Sequence, residues 1–234
     1  MIGEPRLYEP ECESTQLLLL DSGLPEGAVA VTDHQTGGRG RLGRTWVDAP
    51  GTSILCSVLL RPPAGSRPPQ LSLVCGLAVA ETVEDATGLA AQLKWPNDVM
   101  LDRRKVAGIL LEARGGDVVC GMGVNVNQTR EQLPPDARTP AGSLRTVTGS
   151  SYEREPLLAD LLSRLEAHYR TWREHGLAAL HDGIGARNFL FGRRVQIDGR
   201  AAVAGALLAD GRLELSLDGD ETIQIESGEL DVER

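Results

Sequence analysis

Segments with strand periodicity and segments with helical periodicity follow one another in this chain in no regular order, and that irregular order constrains the fold more than any single residue does. Residues 28–32 (AVAVT) and 53–60 (SILCSVLL) are strand-like, the second ending at Pro62-Pro63. Two further strand candidates, 105–113 (KVAGILLEA) and 117–126 (DVVCGMGVNV), are joined by the turn Arg114-Gly115-Gly116. Between these runs lie helical ones. Ser14 or Thr15 is placed to cap a short helix through LLLL that Gly23 ends. Residues 69–88 carry Leu73, Leu77, Ala80 and Val83 at helical spacing, and 155–174 carry Leu157, Leu158, Leu161, Leu165, Tyr169 and Trp172 on one face. The mixed order predicts an α+β fold.

The last 45 or so residues differ in character, because Asp198-Gly199, Asp210-Gly211 and Asp218-Gly219 are three hairpin signals between short β-rich runs. A small antiparallel barrel or curled sheet is expected there, which divides the chain into 1–187 and 188–234. A segment of that size has too little core to be very stable alone and should lean on the main unit.

Composition removes whole classes of function. A formal charge of −9 and eight aromatic residues leave neither the basic field nor the stacking platforms of a general nucleic-acid binder. The longest nearly apolar stretch, 71–80, is interrupted by Ser72 and Gly76 and is far too short to span a bilayer. The N-terminus has no charged or apolar leader region, so a cytoplasmic protein is expected. Cys12, Cys56, Cys75 and Cys120 are widely spread with no metal-ligand spacing, and reduced, mostly buried thiols are the expectation; no residue is assigned to a metal.

Three local clusters carry chemistry. Gly37-Gly38-Arg39-Gly40-Arg41-Leu42-Gly43-Arg44 combines backbone that can approach an anion with guanidinium forks that bind phosphate or carboxylate, and Trp46 follows it. It is not a Walker loop, and taken alone a solvated loop with incidental arginines is the better explanation; Trp46, which can stack on a base, shifts that balance. Lys94-Trp95-Pro96-Asn97-Asp98 places a cation, an amide and a carboxylate in one turn. The chain has 22 arginines but only two lysines, Lys94 and Lys105, which lie within twelve residues of each other. A compact ammonium is retained where arginine serves everywhere else, which points to one site, with chance as the alternative. Asparagine is also sparse, and Asn97, Asn125 and Asn127 fall in PND and GVNVN.

Taken in order and spacing, ESTQ, HQTGGRGRLGRTW, KWPNDVMLDRRKVAGILLE and GMGVNVN resemble the biotin protein ligases, over nearly the whole chain from Glu13 onward. The resemblance implies a mixed-sheet biotin/lipoate ligase-type catalytic domain followed by a small SH3-like barrel. It implies biotin and ATP with Mg2+ as substrates, biotinyl-5′-AMP as intermediate, and transfer of biotin to a lysine of a biotin carboxyl carrier domain. Carried over by position, Ser14, Thr15, Gln16, Gln35, Arg39, Gly40, Arg41, Lys105 and Gly108 are implied to bind biotin. Gly38, Arg39, Arg41, Arg44, Trp46, Asn97, Lys105 and Asn125 are implied on the nucleotide side, with Trp46 against adenine. Lys105, Arg39, Asp98 and Lys94 are implied in the chemistry, Asp98 as acceptor for the incoming lysine's proton. The family usually has Ser-Thr-Asn where this chain has Ser14-Thr15-Gln16. Only about a dozen residues precede the first motif, so no DNA-binding domain and no nucleic-acid partner are expected, and the molecule is expected to be a monomer or homodimer. Lipoate ligases, of the same fold, typically carry an RRxSGGGxVxHD-like loop in place of GGRGRLGR, and a non-catalytic sensor would have lost the cations.

Overall fold

The computed structural model describes residues 1–135, 137–217 and 221–233. Seven strands form a mixed sheet in the order β1-β2-β3-β7-β6-β5-β4, from β1 (Arg6–Cys12), β2 (Val29–Gln35), β3 (Ser53–Leu60), β4 (Ala91–Lys94), β5 (Asp98–Leu101), β6 (Arg104–Arg114) and β7 (Asp117–Asn125). Only the β1–β2 pair is parallel. The long β6–β7 hairpin and its partner β3 form the centre. Every residue of β3 is buried, as a run without polar alternation requires when both faces are covered.

The helices are α1 (Thr15–Leu19), α2 (Leu71–Thr87), α3 (Leu144–Thr148), α4 (Arg154–His175) and α5 (His181–Gly185). Gly88, in the left-handed region at φ 70°, ends α2 by bonding back to the Glu84 carbonyl. The buried face of α4 is the expected one, with Leu158, Leu161, Leu165, Tyr169 and Trp172 packed on α2 and the sheet, while Leu157 at its edge is only partly buried. Burial also pushes the Cys56 thiol up to about 12, and the four cysteines are free.

Two local expectations fail. The first helix ends at Leu19 rather than near Gly23, with Leu20 as its extended C-cap; Leu19 is buried in a small core with Ala28, Ala30, Leu59 and Val119, against which Leu18 and Leu20 pack. Residues 6–12, for which the sequence predicts no element, form β1. It is an edge strand whose side chains are largely exposed, so the apolar alternation that betrays a half-buried strand is missing.

The C-terminal unit is a five-stranded antiparallel sheet, as an SH3-like unit requires, in the order β11-β10-β9-β8-β12. Its strands are β8 (Arg194–Ile197), β9 (Arg200–Leu207), β10 (Leu213–Leu217), β11 (Thr222–Ile225) and β12 (Asp231–Val232). Asp198-Gly199 and Asp210-Gly211 make the turns expected of them, while Asp218-Gly219 lies outside the described residues. Leu213, Leu215 and Val195 join the same apolar cluster as α2 and the large sheet. Trp95 donates its indole N–H to the Gly211 carbonyl (3.1 Å), and Gln70 donates to the Asp210 carbonyl (2.9 Å). No helix among the described residues is long and apolar enough to cross a membrane.

Candidate active site

A cavity of about 650 Å3 opens over the β6–β7 hairpin. Its floor is backbone. Gly108 pairs with Gly123 and Leu110 with Gly121, and strand alternation puts these positions on one face. A Cβ on Gly123 would stand 2.6 Å from the Trp46 ring, one on Gly108 3.0 Å from the same ring, and one on Gly121 3.1 Å from the Gln16 amide. Glycine is required there because something flat lies on the strands. Gly121 and Gly123 were not singled out from the sequence, although two glycines at spacing two inside a strand are the signal for such a floor.

One end of the cavity is neutral and built by α1. Ser14 caps the helix through its backbone, but its hydroxyl makes no cap bond and faces the cavity. Thr15 donates to Gln35 Oε1 from its backbone N–H (2.9 Å) and from its hydroxyl (3.2 Å), and the hydroxyl also meets Ser57 Oγ at 2.8 Å. Gln16 reaches across the floor to donate to the Leu110 carbonyl (3.0 Å). The extra methylene of glutamine is what lets it anchor on β6.

The other end is cationic. Lys105 Nζ lies 2.6 Å from Asp98 Oδ1 and 5.7 Å from the centroid of the Trp46 ring. The Asp98 contact is an ion pair too oblique to be a hydrogen bond. Lys94 donates to Thr139 Oγ1 at 2.6 Å, and burial holds its ammonium below the ordinary lysine value, with Lys105 and Arg138 pushing the same way and Asp98 opposing. Arg41 donates to Asn97 Oδ1 (3.1 Å), and burial lowers its pKa from the usual guanidinium value. Asn97 in turn donates to the Ile109 carbonyl (3.0 Å). Cations so placed, with the carboxylates of Asp98 and Glu229 among them, suit a ligand that brings its own negative charge.

The glycine-arginine loop is a flap. Gly40 N donates to the Arg44 carbonyl (2.7 Å) and Trp46 N to the Gly38 carbonyl (2.9 Å), which closes a two-stranded ribbon around Arg41–Gly43. Each arginine has its own anchor. Arg39 pairs with Glu112 of β6 (3.0 Å), Arg41 bonds Asn97, and Arg44 pairs with Glu229 of the C-terminal unit. The indole N–H of Trp46 is buried and has no acceptor among the described residues.

Of the residues given a binding or chemical role by the resemblance, all line this cavity except Gly38, whose Cα packs under the Trp46 carbonyl and which shapes the ribbon. Asn125 lines it, yet its amide is held within the protein, donating to the Gly142 carbonyl and accepting from Gln128 (both 2.9 Å). Asn127 is used elsewhere, bonding Tyr152 through both ends of its amide. Sequence reasoning missed Arg138, Thr139 and Glu229 at the cationic end, which reach it from a loop and from the C-terminal unit with no local motif. Among the described residues no cluster of three metal-ligand side chains exists.

This arrangement of flap, glycine floor and paired lysines defines a class. The model of the biotin/lipoate A/B protein ligase family matches residues 11–128, and the chain belongs to that family. Its relatives are biotin ligases. The chain is 35% identical to the biotin–[acetyl-CoA-carboxylase] ligase of Mycobacterium tuberculosis, over 88% of this chain and 79% of that protein. It is 33% identical to the bifunctional ligase/repressor BirA of Bacillus subtilis over 77% of this chain, and spans 58% of that relative's length. The crystal structure of the biotin protein ligase from Aquifex aeolicus in complex with biotin and ATP superposes with a TM-score of 0.89 at 30% identity, covering 99% of both chains.

Proposed function

We propose that the chain is an ATP-dependent biotin protein ligase, which joins biotin to AMP and then passes it to a lysine of a biotin carboxyl carrier domain. The observation that carries this reading is the pairing of a neutral, hydroxyl- and amide-lined end with a cationic end over one glycine floor. The first suits a ureido ring, and the second suits a carboxylate and a triphosphate brought together.

In this reading Ser14, Thr15, Gln35 and the flap backbone at Arg39 and Gly40 hold the ring, while Gly108 lets the ligand lie against the strand. Gln16 acts as a wall, its amide N–H bound to β6. Trp46 stacks against adenine, and Arg44 and Asn97 serve the nucleotide side. Lys105, Lys94 and Arg41 offset the repulsion between carboxylate and α-phosphate and stabilise the charge that builds as pyrophosphate leaves. In the second step the carrier's amine attacks the acyl carbonyl, AMP departs, and Asp98 accepts the proton. Mg2+ enters with ATP, and such an ion needs only one or two protein carboxylates; Asp98 and Glu229 are the carboxylates facing the cavity. The division at 187/188 accompanies this assignment, the second unit contributing Glu229 to the site of the first.

Exchange of radiolabelled pyrophosphate into ATP tests the reading, with biotin or lipoate as the acid. Exchange dependent on biotin is expected, and exchange with lipoate alone would overturn it.

A further inference from the structure

The flap meets the floor at two places. At the cationic end, Arg41 bonds Asn97, whose backbone and side chain are both tied to Ile109. At the neutral end, the contact is Arg39 with Glu112. Gly108, Leu110 and Glu112 alternate along one face of β6, so Glu112 stands where the floor ends, just beyond the carbonyl that anchors Gln16. Its carboxylate is half used. Oε1 is 3.0 Å from Arg39 Nη2, whereas Oε2 is buried and meets no donor among the described residues. A buried acceptor without a partner is unfavourable, and a guanidinium already touching the other oxygen is the donor nearest to relieving it.

We propose that Glu112 is the latch of the flap. It holds Arg39 over the neutral end of the cavity, the contact passing from an ion pair at one oxygen to a two-pronged hydrogen-bonded pair when the flap seats on a bound ligand, and so sets how long the acyl-adenylate is retained. Glu112 is a positioning residue, acting through Arg39 rather than on the reacting atoms. The identity of the retained ligand rests on the function proposed above, but the closure of the flap does not.

The test uses Glu112→Gln in the full chain. Trypsin cleavage after Arg41 and Arg44, identified by fragment mass, reports flap opening with no need for activity. Release of labelled biotinyl-adenylate and the KM for biotin report retention. Cleavage and release are expected to rise about 1.5- to fivefold, the weight of a partly exposed ion pair, with KM rising and kcat of pyrophosphate exchange nearly unchanged. The double variant Arg39→Glu, Glu112→Arg is expected to recover protection of the flap. Wild-type cleavage and release in Glu112→Gln would overturn the latch. Increased cleavage that the charge swap leaves uncorrected would also overturn it, because a merely structural effect of Glu112 predicts that result. If the wild-type chain shows no biotin-dependent exchange, the ligase reading falls, and the cleavage comparison still decides the latch.

Discussion

Substituting Gly123 by alanine probes whether the glycine floor exists for Trp46. The added Cβ would fall 2.6 Å from the indole, and the next ring atom is at 2.7 Å, whereas carbon atoms in contact sit about 3.5–4.0 Å apart. The ring must therefore lift by about 1 Å, and a rigid indole flanked by the flap ribbon can do so only by tilting. In the backbone the change is favourable, since alanine loses less freedom than glycine in a strand, by about 0.5–1 kcal/mol. The overpacking it causes is about 1–3 kcal/mol, so the net effect on stability is a loss of about 0–2.5 kcal/mol. Binding bears the larger effect. If Trp46 stacks on a base, displacing it removes an interaction worth about 1–3 kcal/mol, or about five- to 150-fold in affinity for ATP. Thermal melts and the KM for ATP in pyrophosphate exchange are the paired measurements. A folded Gly123→Ala protein with wild-type KM for ATP would refute both the floor and the stacking role of Trp46.

Lys105→Arg should melt normally and lose about 100- to 1,000-fold in biotin-dependent exchange, because a fork cannot occupy the place of a point charge held 2.6 Å from Asp98; unchanged exchange would remove Lys105 from the chemistry. Lys94 gives a pH signature. Burial depresses its pKa from 10.5, so the unfolded chain binds its proton more tightly and this group's contribution to stability rises as pH climbs from the depressed value towards 10.5. Lys94→Met removes that rise, so the Tm of the wild type should gain on that of the variant as pH climbs towards 10.5. A gap that stays constant with pH would contradict the burial argument.

What was legible in the sequence follows from where the physical signal sits. The flap, the Lys94–Asp98 turn and Lys105 stand out because each is a short run of unusual residue types, and the chain's scarcity of lysine narrows attention to two positions. Their convergence on one cavity was readable from the family resemblance and not from periodicity. The wall made by Gln16 could not be read, since its anchor is a backbone carbonyl 94 positions away on β6. Glu229 and Arg138 were hidden for the same reason. Strand β1 escaped because an exposed edge has no apolar alternation, and the glycine floor escaped because its signal is a spacing within an otherwise ordinary strand.

The contacts between the two sheets predict how the molecule unfolds. A barrel of some 40 residues has too small a core to hold by itself, and here its apolar side chains belong to the same cluster as α2 and the large sheet. Leu73 and Leu177 lie within 3.3 Å of where a Cβ on Gly211 would be, so the turn between β9 and β10 is seated against α2 and the segment that follows α4. Trp95, 3% exposed, ties the end of β4 to that turn, and the Phe189 N–H donates to the Leu93 carbonyl at 3.0 Å. Opening one unit would expose apolar surface and strand buried polar groups on the other, so neither should melt first. Calorimetry should give one transition with equal calorimetric and van't Hoff enthalpies. Trp95→Phe should lower its midpoint without splitting it, since the lost hydrogen bond is worth about 1 kcal/mol and the packing is largely kept. Two resolved transitions in the wild-type protein would mean that the C-terminal unit is held only by its ion pairs. The Arg44–Glu229 contact would then be a loose tether and not a fixed wall of the site.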